Sequence, residues 1–127
     1  GTPEGKKRPQ LIAVTQLTST DQAMLERELC IHEQMSDVVY KYAENAKLAG
    51  LDGVVCSPFE ASAVEDLGLI SVTPGIRLVG DDDGDQKRVT TPKTAKLLGS
   101  SFIVVGRSIT QARDPLAAYL ECKAQFI

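Results

Sequence analysis

Apolar residues gather in four short runs, Leu11-Ile-Ala-Val-Thr15, Gly53-Val-Val-Cys56, Leu69-Ile-Ser-Val-Thr73 and Phe102-Ile-Val-Val105. They are β-branched and apolar throughout rather than alternating, the pattern of parallel strands covered on both faces. Between them the chain reads as helix. After the polar turn Gln16-Leu-Thr-Ser-Thr20, Ser19 or Thr20 is placed to cap a short helix running through Leu29. Ser36 is placed to cap a longer one, in which Val38, Val39, Tyr42, Ala43, Ala46 and Ala49 recur at helical spacing and Gly50 ends the run. Ser57-Pro-Phe-Glu60 reads as a capping box with proline in the first turn, and Gly68 stops the helix it opens. A long loop from Gly75 to Thr90, rich in Gly and Asp, precedes a helix opened by Thr91-Pro92 and closed by Gly99, and Asp114-Pro115 begin the last helix.

Strand and helix therefore alternate through four successive βα units, with no alignable repeat, low-complexity tract or linker, which makes residues 1–127 part of one α/β domain with no second domain. Four parallel strands could stand complete as an open doubly wound sheet. The loops behind the strands favour another arrangement, because each carries residues of chemical use: Thr18, Ser57, Pro74 to Arg77, and Gly106-Arg107. A (β/α)8 barrel delivers the C-terminal end of every strand to one face, where its site is built, and half of such a barrel has this pattern.

Composition narrows the function classes. The 127 residues are 43% apolar and 24% charged, a globular balance, and the net charge of −3 provides no basic excess to hold a phosphate backbone, so nucleic acid is not expected as a partner. No apolar run nears the roughly 20 residues that span a bilayer, so no membrane association is expected. Gly1 to Gln10 contain no apolar stretch of signal-peptide length, and a cytoplasmic protein is expected. Cys30, Cys56 and Cys122 are odd in number and widely spaced, which fits reduced, buried thiols better than disulfides or a zinc site. The chain starts at Gly1 in what reads as the middle of a loop, as a processed chain or a piece of a longer one would.

Among candidate chemical groups, Val104-Val-Gly-Arg-Ser-Ile109 is the strongest local signal. Glycine at a strand end lets a ligand approach the backbone, and Arg107 supplies a planar fork suited to phosphate, although a surface arginine at a strand end would give the same letters. Pro74-Gly75 makes a sharp turn, and the hydrophilic loop behind it has the composition of a lid, with Gln86 able to hold one oxygen of an anion. The aspartates of that loop do not make a calcium site: aligning Gly84 with the calcium-loop glycine puts Val79 at the first ligand position and Thr90 where a bidentate glutamate belongs. Thr18 could read a polar ring edge. Cys56 and Ser57 lack an argued base, since the lone histidine, His32, lies between helices.

Taken together, Leu11-Ile-Ala-Val-Thr-Gln-Leu-Thr-Ser19, Gly50-Leu-Asp-Gly-Val-Val-Cys-Ser57, Val72-Thr-Pro-Gly-Ile-Arg77, Gly84-Asp-Gln-Lys-Arg88 and Val105-Gly-Arg-Ser-Ile-Thr-Gln111 resemble the bacterial orotidine 5′-phosphate decarboxylase family in order and spacing. The resemblance runs from about Gly5 to the C-terminus. It implies the C-terminal half, strands five to eight, of a (β/α)8 TIM barrel, about 250 residues being typical of a whole one.

The resemblance also implies roles. Gln86, Gly106 and Arg107 match the family's phosphate grip, with Arg77 a ligand-contacting arginine beside it. Thr18 matches the hydroxyl that reads the pyrimidine edge, a position where some members carry serine, and Pro74 belongs to the strand-seven loop that closes over the nucleotide. The expected ligands are orotidine 5′-phosphate and UMP, with no metal and no organic cofactor. The expected protein partners are the preceding half of the barrel and a second copy in a homodimer. No catalytic residue is expected here, because nothing matches the family's Asp-x-Lys-x-x-Asp element, whose lysine faces the departing carboxylate. Residues 1–127 alone are expected to be inactive. The alternative is a non-catalytic half-barrel that binds phosphate-bearing ligands and self-associates through its open edges.

Overall fold

The four apolar runs form one parallel sheet, ordered β1 (Ile12–Val14), β2 (Gly53–Val55), β3 (Ile70–Thr73) and β4 (Phe102–Ile103), so that each strand pairs with its successor in sequence. The computed structural model describes residues 1–79 and 90–127. Helices α1 (Gln22–Arg27) and α2 (Met35–Leu48) follow β1. A turn of 3-10 helix (Pro58–Glu60) and α3 (Ala61–Asp66) follow β2, α4 (Pro92–Leu97) precedes β4, and α5 (Arg107–Thr110) and α6 (Pro115–Phe126) follow it.

Pairing register decides what each face of the sheet does. Ala13, Val54 and Ser71 stand level, and so do Val14, Val55, Val72 and Phe102. Successive side chains point to opposite faces, so these two rows face opposite ways. The first face packs on the helices: Val54 and Cys56 join Leu25, Val38, Val39, Ala43, Ala46 and Val64 in the core. Serines and threonines on this face are paired. Ser101 N–H donates to Ser71 Oγ at 2.9 Å, and Thr73 Oγ1 donates to the Phe102 carbonyl at 3.0 Å.

The second face has no such cover among the described residues. Val14 is 59% exposed, Phe102 56% and Val104 49%. Coverage of both faces, expected from the apolar runs, is thus met on one face among the described residues. Gly53 belongs to this bare face, level with Ile12 and Ile70, and a Cβ there would run into the Ile70 carbonyl oxygen and come within 3.0 Å of Ile12 Cδ1.

Helix starts follow the sequence at some ends and depart from it at others. Thr91 Oγ1 accepts from Thr94 N–H at 3.2 Å and Asp114 Oδ1 from Ala117 N–H at 3.1 Å, as their positions predict. Asp21, rather than Ser19 or Thr20, caps α1, its Oδ1 accepting from Met24 N–H at 2.9 Å; Thr20 is occupied in a turn, its N–H donating to the Leu17 carbonyl. Ser36 lies inside α2, and the cap position falls to Gln34, which makes no side-chain cap bond. Gln22 of α1 serves instead, its Oε1 accepting from Met35 N–H at 2.8 Å and its Nε2 donating to the Glu33 carbonyl at 2.8 Å. Cys30, expected among buried thiols, is exposed and turns the chain after α1 with φ +56°; Cys56 and Cys122 are buried, and none of the three is in a disulfide.

At the N-terminal rim of the sheet, Asp52 fastens the entering segment. Leu11 N–H donates to its Oδ2 at 2.7 Å and Arg8 Nη2 to its Oδ1 at 2.7 Å. The Leu11 amide, and then the Arg8 guanidinium, hold the Asp52 carboxyl below the usual carboxylate range.

Candidate functional site

At the opposite rim, β3 and β4 end beside each other, and their loops enclose a recess of about 200 Å³ lined by Pro74, Gly75, Ile76, Arg77, Val104, Gly106 and Arg107. Pro74, Arg77, Gly106 and Arg107, picked out separately in the sequence, come together here. Gly75 takes φ +78°, the left-handed conformation that a Pro-Gly turn uses, and this swings the chain off the end of β3. Arg77 follows and is buried, while Arg107 is exposed at the start of α5. A Cβ placed on Gly106 would meet nothing within 4 Å among the described residues. The glycine therefore leaves backbone open toward the recess, as close approach of a ligand requires.

Arg77 and Arg107 also reach the wall of a second cleft, about 380 Å³, which continues past Ser108 and Gln111 to Glu121 on α6. The carboxylate of Glu121 opposes an anion there, so the smaller recess at the strand ends is the better seat for one.

Backbone and hydroxyl bonds fix the recess. Arg77 N–H donates to the Thr90 carbonyl at 2.9 Å and Thr90 N–H to the Gly75 carbonyl at 3.2 Å, so the two ends of the intervening loop are held together beside β3. Leu78 N–H donates to Ser108 Oγ at 3.2 Å. Sequence reasoning identified neither tie, nor α5 itself, because each partner lies 13 to 30 residues away or in a helix of four residues.

Thr18 is buried at the end of β1, on the same rim but not in the recess. The strand it follows, β1, lies two strands from β3, on the order of 10 Å across the sheet. Gln86 lies outside the described residues. Ser57 Oγ accepts from Phe59 N–H at 3.2 Å and so serves its own turn, and His32 is exposed between α1 and α2. Among the described residues, no group of three or more His, Cys, Asp or Glu is placed to hold a metal ion, and no helix is long and apolar enough to cross a membrane.

A parallel sheet with helices on one face, a bare apolar second face and two arginines gathered at the C-terminal rim is consistent with half of a (β/α)8 barrel. Residues 2–122 match the model of the "Orotidine 5'-phosphate decarboxylase / HUMPS family", and the chain belongs to that family. An orotidine 5′-phosphate decarboxylase of Bacillus cereus strain Q1 is 54% identical over 99% of this chain and 54% of its own length. The crystal structure of orotidine 5′-phosphate decarboxylase from Lactobacillus acidophilus matches with a TM-score of 0.76 at 45% identity, covering 99% of this chain and 53% of that one. An uncharacterized conserved protein from Geobacillus kaustophilus matches with a TM-score of 0.77 at 42% identity, over 100% and 53%. The chain spans about half the length of the curated relatives it matches.

Proposed function

We propose that residues 1–127 form the substrate-gripping half of an orotidine 5′-phosphate decarboxylase, which converts orotidine 5′-phosphate to UMP and CO2. The observation that carries this reading is the convergence of Pro74, Arg77, Gly106 and Arg107 on one recess at the ends of β3 and β4. Arg107 and Arg77 take the phosphate together with Gln86, Gly106 leaves room for it, Pro74 turns the covering loop, and Thr18 reads the pyrimidine edge. In this reading the nucleotide lies across the rim from the recess toward the loop after β1.

Decarboxylation breaks the bond between C6 and the carboxylate, leaves the electron pair on C6 and requires a proton there. In this reading the lysine that opposes the carboxylate and supplies the proton stands in the preceding half of the barrel. Phosphate binding, remote from C6, speeds the reaction only where its energy goes into closing the site and holding the ring in the geometry of the transition state. No metal or organic cofactor enters the scheme. The bare face carrying Val14, Val55, Val72 and Phe102 meets the other half of the barrel, and the complete enzyme is a cytoplasmic homodimer.

Arg107→Ala in a full-length enzyme carrying these residues tests the phosphate assignment. Loss of a charged hydrogen-bonded contact of about 1.5 to 3 kcal/mol predicts UMP affinity roughly 10- to 150-fold weaker. Unchanged UMP affinity in calorimetric titration contradicts the assignment.

A further inference from the structure

Resting on the phosphate reading above, we propose that Ser108 is a positioning residue that sets the spacing between the two arginines of the recess. Arg77 and Arg107 belong to different βα units, 30 residues apart, and a recess that closes on one anion needs both guanidinium groups at a fixed separation. Ser108 directly follows Arg107, and Leu78 directly follows Arg77. The bond from Leu78 N–H to Ser108 Oγ at 3.2 Å thus joins the neighbours of the two arginines.

Burial gives this bond its consequence. Ser108 is 7% exposed and Leu78, which donates, is half-buried, so water only partly replaces the hydroxyl if it is removed. On its other side the same stretch is held by Arg77 N–H on the Thr90 carbonyl. Thr90 thus fixes the stretch to its own chain neighbourhood, and Ser108 fixes it to α5. Loss of the Ser108 tie would leave the Thr90 bonds to the turn after β3 in place while weakening its hold on α5 beside Arg107.

The role is therefore specific to a ligand that engages both arginines. Ser108→Ala removes the acceptor and Ser108→Thr retains it. In a full-length enzyme carrying residues 1–127, S108A is expected to bind UMP about 5- to 20-fold more weakly, the scale of one partly buried hydrogen bond. S108T is expected to stay within about twofold of the parent. Uridine, which has the ring and sugar without the phosphate, should bind S108A as it binds the parent. A merely structural role would weaken uridine and UMP alike, and that result overturns the proposal. So does parental UMP affinity in S108A alongside weakened affinity in R107A, an outcome that leaves the phosphate reading standing. Parental UMP affinity in both variants removes that reading and this proposal with it. If S108A fails to fold, the comparison passes to Ser108→Cys, whose sulfur is a poorer acceptor, with the same contrast between UMP and uridine deciding.

Discussion

The two faces of the sheet carry similar residues and have opposite surroundings. On one, Val54 is fully buried among α2 and α3; on the other, Val14, one position along the neighbouring strand, is 59% exposed. Apolar composition of a strand records the layers it evolved to meet, and burial within a given stretch of chain records only those that stretch supplies. Relatives about twice as long show where another layer can come from.

The sharpest way to break this contrast is to place the same charge on each face. Val54→Asp buries an unpaired carboxylate in the core and is expected to cost about 4 kcal/mol or to prevent folding. Val14→Asp in residues 1–127 should change stability by no more than about 0.5 kcal/mol, while in a full-length barrel it should approach the cost of Val54→Asp. Paired urea melts of both variants in both lengths check this, and equal tolerance of Val14→Asp in the two lengths would end the half-barrel account of the bare face.

Gly53→Val probes a place where the bare face is already crowded, and overpacking against Ile70 and Ile12 predicts a loss of about 3 kcal/mol in the same melts. Cys30→Gly, at a left-handed position away from both faces, is expected to stabilise the chain by about 0.5 to 1 kcal/mol, seen as a higher thermal midpoint. The smallest effect belongs to Asp52, at the rim opposite the recess. Because its carboxyl is held below its ordinary value when folded, its contribution is complete above the ordinary carboxylate range and is lost as pH falls through the lowered one. Asp52→Asn should therefore narrow the difference in stability between pH 7 and pH 2 slightly, and thermal melts at the two values measure it.

The strands and the caps at Thr91 and Asp114 were legible because each depends on neighbours within a few residues. The cap of α2 was not, since Gln22 reaches it from another helix across 13 residues. Asp21 took the α1 cap one residue after the positions that the sequence offered, its carboxylate accepting from Met24 N–H. At the site, the arginines and glycine showed through their positions behind strands, whereas the tie through Ser108 required knowing that the loop after β3 lies against α5. The bare face was hidden for the opposite reason: the residues are right for burial and give no sign of which segment buries them.

Turnover of orotidine 5′-phosphate by homogeneous residues 1–127, with and without the separately prepared N-terminal portion of the Bacillus cereus relative, tests the division of labour most directly. The expected result is no UMP formed by residues 1–127 alone and UMP formed when the two parts are combined. UMP formed by residues 1–127 alone, with mass spectrometry excluding any longer decarboxylase in the sample, would contradict the account.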